Sequence, residues 1–231
     1  ALLSKEDFQE VKILLLNKEM GWTSFDVVKK IKNLLKERFN IKKIKVGHAG
    51  TLDPLATGLL IICTGKFTKT ISSIQNQEKT YTGEITLGAT TPSYDLETDI
   101  NKTFDTSKIT NEAIQKTSLQ FIGEIEQKPP VFSALKIKGE RLYKKARRGE
   151  DVVIDSRKIT VFSFDIEEYE LSKFKFKIKC SKGTYIRSIA HDFGERLKNG
   201  GYLSQLCRTN IGKYDINDSI TITDFINQLN T

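Results

Sequence analysis

Between Lys173 and Cys180 the chain reads Lys-Phe-Lys-Phe-Lys-Ile-Lys-Cys, four lysines alternating strictly with four apolar residues. Successive side chains of a β-strand point to opposite faces, so this segment fits a strand with one face on a core and the other a solvated row of ammonium groups. A helix would scatter the same lysines around its axis. Residues 80–87 alternate too, with Tyr81, Gly83, Ile85 and Leu87 on one face, and end at Gly88, so a second strand is expected there. Residues 11–16 read as a short buried strand. The apolar run 59–63 fits either a buried strand or a helix segment, which periodicity does not separate.

Helical patterns lie between these strands. Thr23-x-x-Asp26 is a capping-box signal ahead of a helix that places Phe25, Val28, Ile31, Leu34 and Leu35 on one face. Lys29, Lys30, Lys32 and Lys36 fall opposite and read as solvated surface. After the turn at Lys182-Gly183, Ile186, Ile189, Ala190, Phe193 and Leu197 mark one side of a second helix, which Gly200-Gly201 is expected to end. The polar stretch 90–101 has no clear period and reads as a loop; residues 224–229 read as a short helix. Strands and helices do not alternate strictly, which points to an α+β class on a largely antiparallel sheet. With 231 residues, a single large domain is expected.

The formal charge is +8 and the pI about 9.2, which makes nucleic acid or an acidic membrane plausible company. That charge is concentrated: residues 128–149 carry eight basic side chains against the single acid Glu140, a net +7. The segment opens on Pro129-Pro130 and interleaves Phe132 and Tyr143 with cations, a composition suited to a phosphate backbone with exposed bases. The three cysteines, Cys63, Cys180 and Cys207, are odd in number and far apart, which suits a reduced, cytoplasmic chain. No apolar run approaches the roughly 20 residues that span a bilayer. His48 and His191 are the only histidines and no Cys-x-x-Cys pair occurs, so no metal site is expected. Gly65-Lys66 is followed by Phe67 where a phosphate-binding loop needs Ser or Thr, and no dinucleotide fingerprint appears. Any chemistry must come from ordinary side chains without a cofactor.

Asp53 precedes Pro54, and for an isolated Asp-Pro the ordinary reading is a helix cap with proline at the first helical position. The surrounding run changes that reading. Gly47-His48-Ala49-Gly50-Thr51-Leu52-Asp53-Pro54-Leu55-Ala56-Thr57-Gly58 closely resembles the catalytic motif of the TruB-type family, the bacterial tRNA pseudouridine-55 synthases. Four further stretches match in order: Lys79-Thr80-Tyr81, then Pro129-Pro130-Val131-Phe132-Ser133-Ala134-Leu135-Lys136, then Gly183-Thr184-Tyr185-Ile186-Arg187, then Leu203-Ser204-Gln205-Leu206. The resemblance covers roughly residues 11–215.

The resemblance implies the pseudouridine synthase fold, a central, largely antiparallel mixed sheet flanked by helices and loops, and a cofactor-independent isomerisation of uridine at position 55 in the T loop of tRNA. The bond from N1 to C1′ breaks, the base turns, and it rejoins through C5. Asp53 would supply the essential carboxylate, whether by attack on C1′, attack on C6 or removal of a sugar proton. Arg187 matches the arginine that pairs with that aspartate and favours its charged form. Tyr81 matches the tyrosine that stacks on the base and helps move the C5 proton, and His48 the histidine that holds the flipped nucleotide. Tyr185 and Leu206 match residues lining the uracil pocket. The basic segment, about residues 124–152, coincides with the family's thumb-like insertion, with Lys136, Arg141, Lys144, Lys145, Arg147 and Arg148 as candidate contacts to the RNA backbone. The expected partner is the T-arm stem-loop of tRNA, with no membrane, no obligate protein partner and a monomeric enzyme.

Two departures stand out. Family members continue into a small C-terminal RNA-binding (PUA-like) domain, expected to be absent or truncated here. Cys207 stands where the family commonly has an arginine beside Arg208, so one phosphate contact is expected to be missing. Rival readings are a non-catalytic tRNA-binding chaperone, and a relative that modifies ribosomal RNA through guide RNA.

Overall fold

The computed structural model describes residues 3–133, 136–137 and 139–231. In chain order the elements are α1 (Lys5–Gln9), β1 (Lys12–Lys18), α2 (Ser24–Phe39), β2 (Val46–His48), β3 (Thr57–Thr64), α3 (Thr68–Gln75), β4 (Lys79–Leu87), β5 (Ala89–Thr90), β6 (Lys102–Thr103), α4 (Asn111–Leu119) and β7 (Gly123–Gln127). There follow β8 (Lys136–Ile137), β9 (Glu140–Arg141), α5 (Leu142–Arg147), β10 (Arg157–Glu170), β11 (Lys173–Cys180), α6 (Ile186–Arg196), β12 (Gly201–Ile211), β13 (Tyr214–Asp215), a turn of 3-10 helix (Ile216–Asp218) and α7 (Ile222–Leu229). The chain forms two compact units, one of Ala1–Tyr81 with Cys207–Thr231 and one of Thr82–Leu206, and passes from one to the other within β4 and within β12. No helix among the described residues is long and apolar enough to cross a membrane.

In the first unit β3 is the organising strand. β1 pairs with it antiparallel along its whole length, from Lys12 opposite Thr64 to Lys18 opposite Gly58. Its other edge takes β2 antiparallel near Thr64 and β12 parallel at Thr57 and Gly58. Leu59, Ile61 and Cys63 point into one cluster with Ala49, Ile74 and Ile211, while Leu60 and Ile62 are equally buried on the opposite face. A strand covered on both faces reads as an unbroken apolar run, which resolves residues 59–63 as strand rather than helix.

The capping box of α2 is present, with Thr23 Oγ1 accepting from the Asp26 N–H and the Asp26 carboxylate accepting from the Thr23 N–H. The inward face of α2 is nevertheless Ser24, Val27, Ile31 and Leu35. The expected Phe25 is 69% exposed, a correction of the apolar stripe by one position at the helix start.

In the second unit the strands run in the order β12, β4, β11, β10, β7. β11 pairs antiparallel with β10, and β10 antiparallel with β7. The alternation of β11 is fully realised, with Phe174, Phe176, Ile178 and Cys180 buried and the four lysines exposed. Phe193 of α6 packs on Phe174, Phe121 and Phe164 at centroid distances of 4.9, 5.6 and 5.8 Å. α6 stops at Arg196, short of the expected Leu197 and Gly200-Gly201. Those glycines serve a close approach instead: a Cβ on Gly194 would lie 2.2 Å from the Gly201 nitrogen. Mixed strand directions with helices alongside make the class α+β with a largely antiparallel mixed sheet, as the sequence implies.

Candidate active site

Asp53 sits half-buried in the connection from β2 to β3. It does not cap a helix: the Ala56 N–H donates to the Asp53 carbonyl at 3.0 Å, closing a turn that leads directly into β3. Three buried polar side chains hold this loop by its backbone. Ser24, at the start of α2, accepts from the Leu52 N–H at 2.9 Å and donates to the Leu52 carbonyl at 3.2 Å. Arg208, 2% exposed, donates to the carbonyls of Gly50 at 3.1 Å, Thr51 at 3.2 Å and Leu59 at 3.0 Å. Lys18, 1% exposed, donates to the carbonyls of Glu19 at 2.9 Å, Trp22 at 2.7 Å and Pro54 at 3.3 Å. Carbonyls of this partly buried loop thus find charged donors on both flanks of Asp53, and such charge-assisted bonds are the strong ones.

Glycine is required where β3 meets β12. Gly58 has φ +107°, and a Cβ there would lie 2.3 Å from the Arg208 carbonyl. The same Arg208 whose side chain grips Gly50 and Thr51 therefore lies backbone to backbone with the end of the motif.

Burial pushes the Lys18 ammonium down to about 8, opposed by the attraction of Asp53 and reinforced by the nearby charge of Arg208. At neutral pH Lys18 is therefore mostly charged, and its three carbonyl acceptors are matched to the ammonium form. His48, on β2, is lowered chiefly by burial and then by Arg208, so it is a neutral imidazole at pH 7.

Lys18, Ser24 and Arg208 escape a reading by residue type, which assigns cations and serine to the surface. A signal for Lys18 exists in the period of β1: Leu14, Leu16 and Lys18 share one face and are all buried.

Tyr81, like Asp53 and His48, belongs to the first unit; it lies on β4 and is 8% exposed. Arg187, Tyr185 and Leu206 belong to the second. Arg187 is in the first turn of α6, where an arginine would ordinarily reach solvent, yet it is 4% exposed and donates to the carbonyls of Ser93 and Phe132. Tyr185 precedes α6 and is pinned by Gln127 of β7, whose side-chain oxygen accepts from the Tyr185 N–H at 2.7 Å. Leu206 lies half-buried on β12.

In the basic segment β8 and β9 form a small hairpin leading into α5. Ala134, Leu135 and Lys138 lie outside the described residues, as does the side chain of Lys136. Arg148 is engaged by Glu140 and Glu150, and Arg147 by Glu97 at 3.2 Å and by the ring of Tyr143. These exposed pairs compete weakly with phosphate. Lys144 is exposed and Lys145 half-buried on α5.

Among the described residues, His191, Asp192 and Glu195 bring potential metal-ligand atoms within 4.8 Å of one another. His191 Nε2 is 3.1 Å from Glu195, and its ring stacks on Tyr94 at 3.9 Å. Burial pushes Asp192 up to about 6 from 3.8. The folded chain thus holds this proton across a window in which the unfolded chain has released it, so the stability Asp192 contributes falls as pH rises from about 4 through 6. Asp192→Asn is expected to add about 1–2 kcal/mol at pH 8, raising Tm by roughly 2–8 °C, and nothing near pH 4. Melting curves at the two pH values check it; an equal gain at both would contradict it.

Known proteins share this architecture. The profile of the TruB family pseudouridylate synthase N-terminal domain matches residues 36–186. The "tRNA pseudouridine synthase B" of Flavobacterium johnsoniae is 54% identical over 224 residues, covering 96% of this chain and 98% of that protein. Its namesake in Chloroherpeton thalassium is 51% identical over 217 residues, 94% of this chain and 89% of that one. Among solved structures, a chain from "Crystal Structure of a Cbf5-Nop10-Gar1 Complex" matches with a TM-score of 0.73 at 26% identity, over 97% of this chain and 56% of that chain. The present chain thus spans about half of that solved relative. The architecture is that of the pseudouridine synthases. The chain belongs to the TruB family of pseudouridylate synthases.

Proposed function

We propose that the protein isomerises a uridine in the T loop of tRNA, at position 55, to pseudouridine, with Asp53 as the carboxylate that acts on the nucleoside. The observation that carries this reading is the loop itself: a half-buried Asp53 whose neighbouring carbonyls are gripped by Lys18, Ser24 and Arg208. A carboxylate so held is set against a bound nucleotide with little left to reorganise, which is what catalysis by positioning needs. The reaction exchanges one bond at C1′ for another with no net redox change, so side chains suffice.

Flipping the target base out of a folded loop costs a few kcal/mol. Stacking on Tyr81 returns about 1–3 kcal/mol of that, and the neutral His48 holds the nucleotide out of the stack. By the family resemblance, Arg187 is proposed as the cation that serves the carboxylate, and Tyr185 and Leu206 as uracil-pocket residues. The basic segment grips the RNA backbone: alanine at Lys144, Lys145, Arg147 and Arg148 together is expected to lower the salt slope of RNA binding by about 0.7–0.9 for each phosphate no longer gripped. An unchanged slope in a filter-binding salt series would mean that the segment is solvated surface only.

Pseudouridine formation by the pure protein in a bare T-arm stem-loop, with no guide RNA and no partner protein, tests the reading directly. Product is expected. RNA binding without product would favour a chaperone, and product only with added guide RNA would favour the guided relatives.

A further inference from the structure

The sequence pattern puts Lys32 and Lys36 on a solvated helix face, but in the structure they line a cleft of about 580 Å³ with Lys42, Lys43, Lys45 and Lys66. Gln9, Ile44 and Gly65 complete its lining, and no carboxylate contributes to it. Among the described residues none of these six lysines forms an ion pair. Six ammonium groups around one depression, none of them in an ion pair, repel one another, and an anion held between them would relieve that repulsion. We propose that this cleft is a second phosphate-binding site, which holds the backbone of the RNA substrate outside the loop that carries the target uridine. The proposal rests on the reading of the protein as an RNA-modifying enzyme.

The position of the cleft within the first unit defines its share of the RNA. Asp53 and Lys18 lie at the start of β3, where Lys18 is opposite Gly58. The cleft lies at the other end of the same strand, where Gly65 follows Thr64 and its N–H donates to the Lys45 carbonyl at 3.0 Å. Seven residue steps of strand span roughly 23 Å. Along helix α2, whose Ser24 touches the Leu52 backbone, Lys32 and Lys36 of the cleft lie 8 and 12 residues further on, about 12–18 Å. A phosphate in the cleft is therefore several nucleotides from the base at Asp53, beyond a short loop and on a stem or adjoining arm.

The cleft is also built rather than incidental. Gly65 has φ +76°, and a Cβ on it would fall 1.8 Å from the Glu10 carbonyl, so the wall carrying Lys45 and Lys66 is pressed against the chain between α1 and β1. Lys32 and Lys36 are half-buried, while Lys42, Lys43, Lys45 and Lys66 stand exposed at the rim. Lysines act as point charges without the planar fork that arginine offers to bases, so this site tracks backbone and is indifferent to sequence.

The test compares wild type with a variant carrying Lys42→Ala, Lys43→Ala, Lys45→Ala and Lys66→Ala, all exposed positions, with an unchanged melting temperature as the check on folding. Binding of a full-length tRNA transcript and of the isolated T-arm stem-loop is measured over a salt series. The expected result is a salt slope on full-length tRNA smaller by about 2–3, with affinity at least tenfold weaker at moderate salt. On the stem-loop the change is expected to be small, and the corresponding four Lys→Arg substitutions keep the wild-type slope on tRNA. An unchanged slope on tRNA overturns the proposal, as does tight pyrophosphate binding that disappears in the variant while the tRNA slope stays the same, which would mark a small-anion site. Wild-type protein that binds tRNA but makes no pseudouridine would sink the catalytic reading and leave the binding comparison standing. Pseudouridine formation with equal slopes in both proteins would sink only the cleft.

Discussion

Replacing Asp53 with Asn is expected to abolish pseudouridine formation, by at least about 10³-fold, or some 4 kcal/mol of transition-state stabilisation, while leaving tRNA binding within a factor of a few. The substitution conserves shape, and Lys18, Ser24 and Arg208 hold the loop through backbone carbonyls at positions 50–54 and the Leu52 N–H. The loop therefore keeps its form when the carboxylate becomes an amide. What disappears is the anionic oxygen able to act on the nucleoside. Pseudouridine yield by mass spectrometry, measured beside affinity for the same transcript, separates chemistry from binding. More than about a tenth of wild-type turnover in the Asn variant would remove Asp53 from the mechanism.

Arg208→Ala is expected to cost about 3–5 kcal/mol of stability, since three carbonyls lose a charged donor at once and an acceptor left unsatisfied costs about 1–3 kcal/mol. The carbonyls of Gly50, Thr51 and Leu59 would lose their donors together, the last of them fully buried. For a chain of this size the expected fall in Tm is roughly 6–20 °C. Arg208→Lys should not restore it, because Nε and both terminal nitrogens serve three different carbonyls and an ammonium on a shorter stem cannot reproduce that fork. Activity should fall further than stability alone explains, since the freed loop carries Asp53. A variant melting within about 2 °C of wild type would show that the three bonds are replaceable and that the loop is held by something else.

The phosphate contact expected to be missing at Cys207 is not supplied by Arg208. Cys207 is partly buried and pairs with Thr57 across the parallel register of β12 and β3, while its neighbour Arg208 turns inward to the loop. Adjacent positions of a strand face opposite ways, so the inward Arg208 does not take the place of an arginine at 207.

The parts of the fold legible in the sequence are those where local and tertiary preferences agree. The lysine-aromatic alternation of β11 leaves only one way to bury its Phe and Ile side chains, and Thr23-x-x-Asp26 satisfies the first turn of α2 with its own side chains. Where tertiary demands override residue type, the pattern misleads. Ser24 takes an inward position of α2 because it is needed to hold Leu52, and that choice turns Phe25 to the surface. The glycines at 200 and 201 look like a helix stop but serve a close contact with α6. Lys18 and Arg208 are invisible as site residues because a buried cation next to the motif is meaningful only once the loop carbonyls it holds, 36 residues away for Lys18 and about 150 for Arg208, have been brought to it. Asp53 itself is legible through the resemblance of residues 47–58 to the family motif; the clamp that sets it is legible only in three dimensions.

The most direct test of the central claim is to map pseudouridine along a full-length, unmodified tRNA transcript after incubation with the pure protein in chelator-treated buffer. The expected result is a single new pseudouridine, in the T loop at position 55, absent when Asp53 is Asn. A transcript bound by the protein yet free of pseudouridine, or modified at a site outside the T loop, would contradict it.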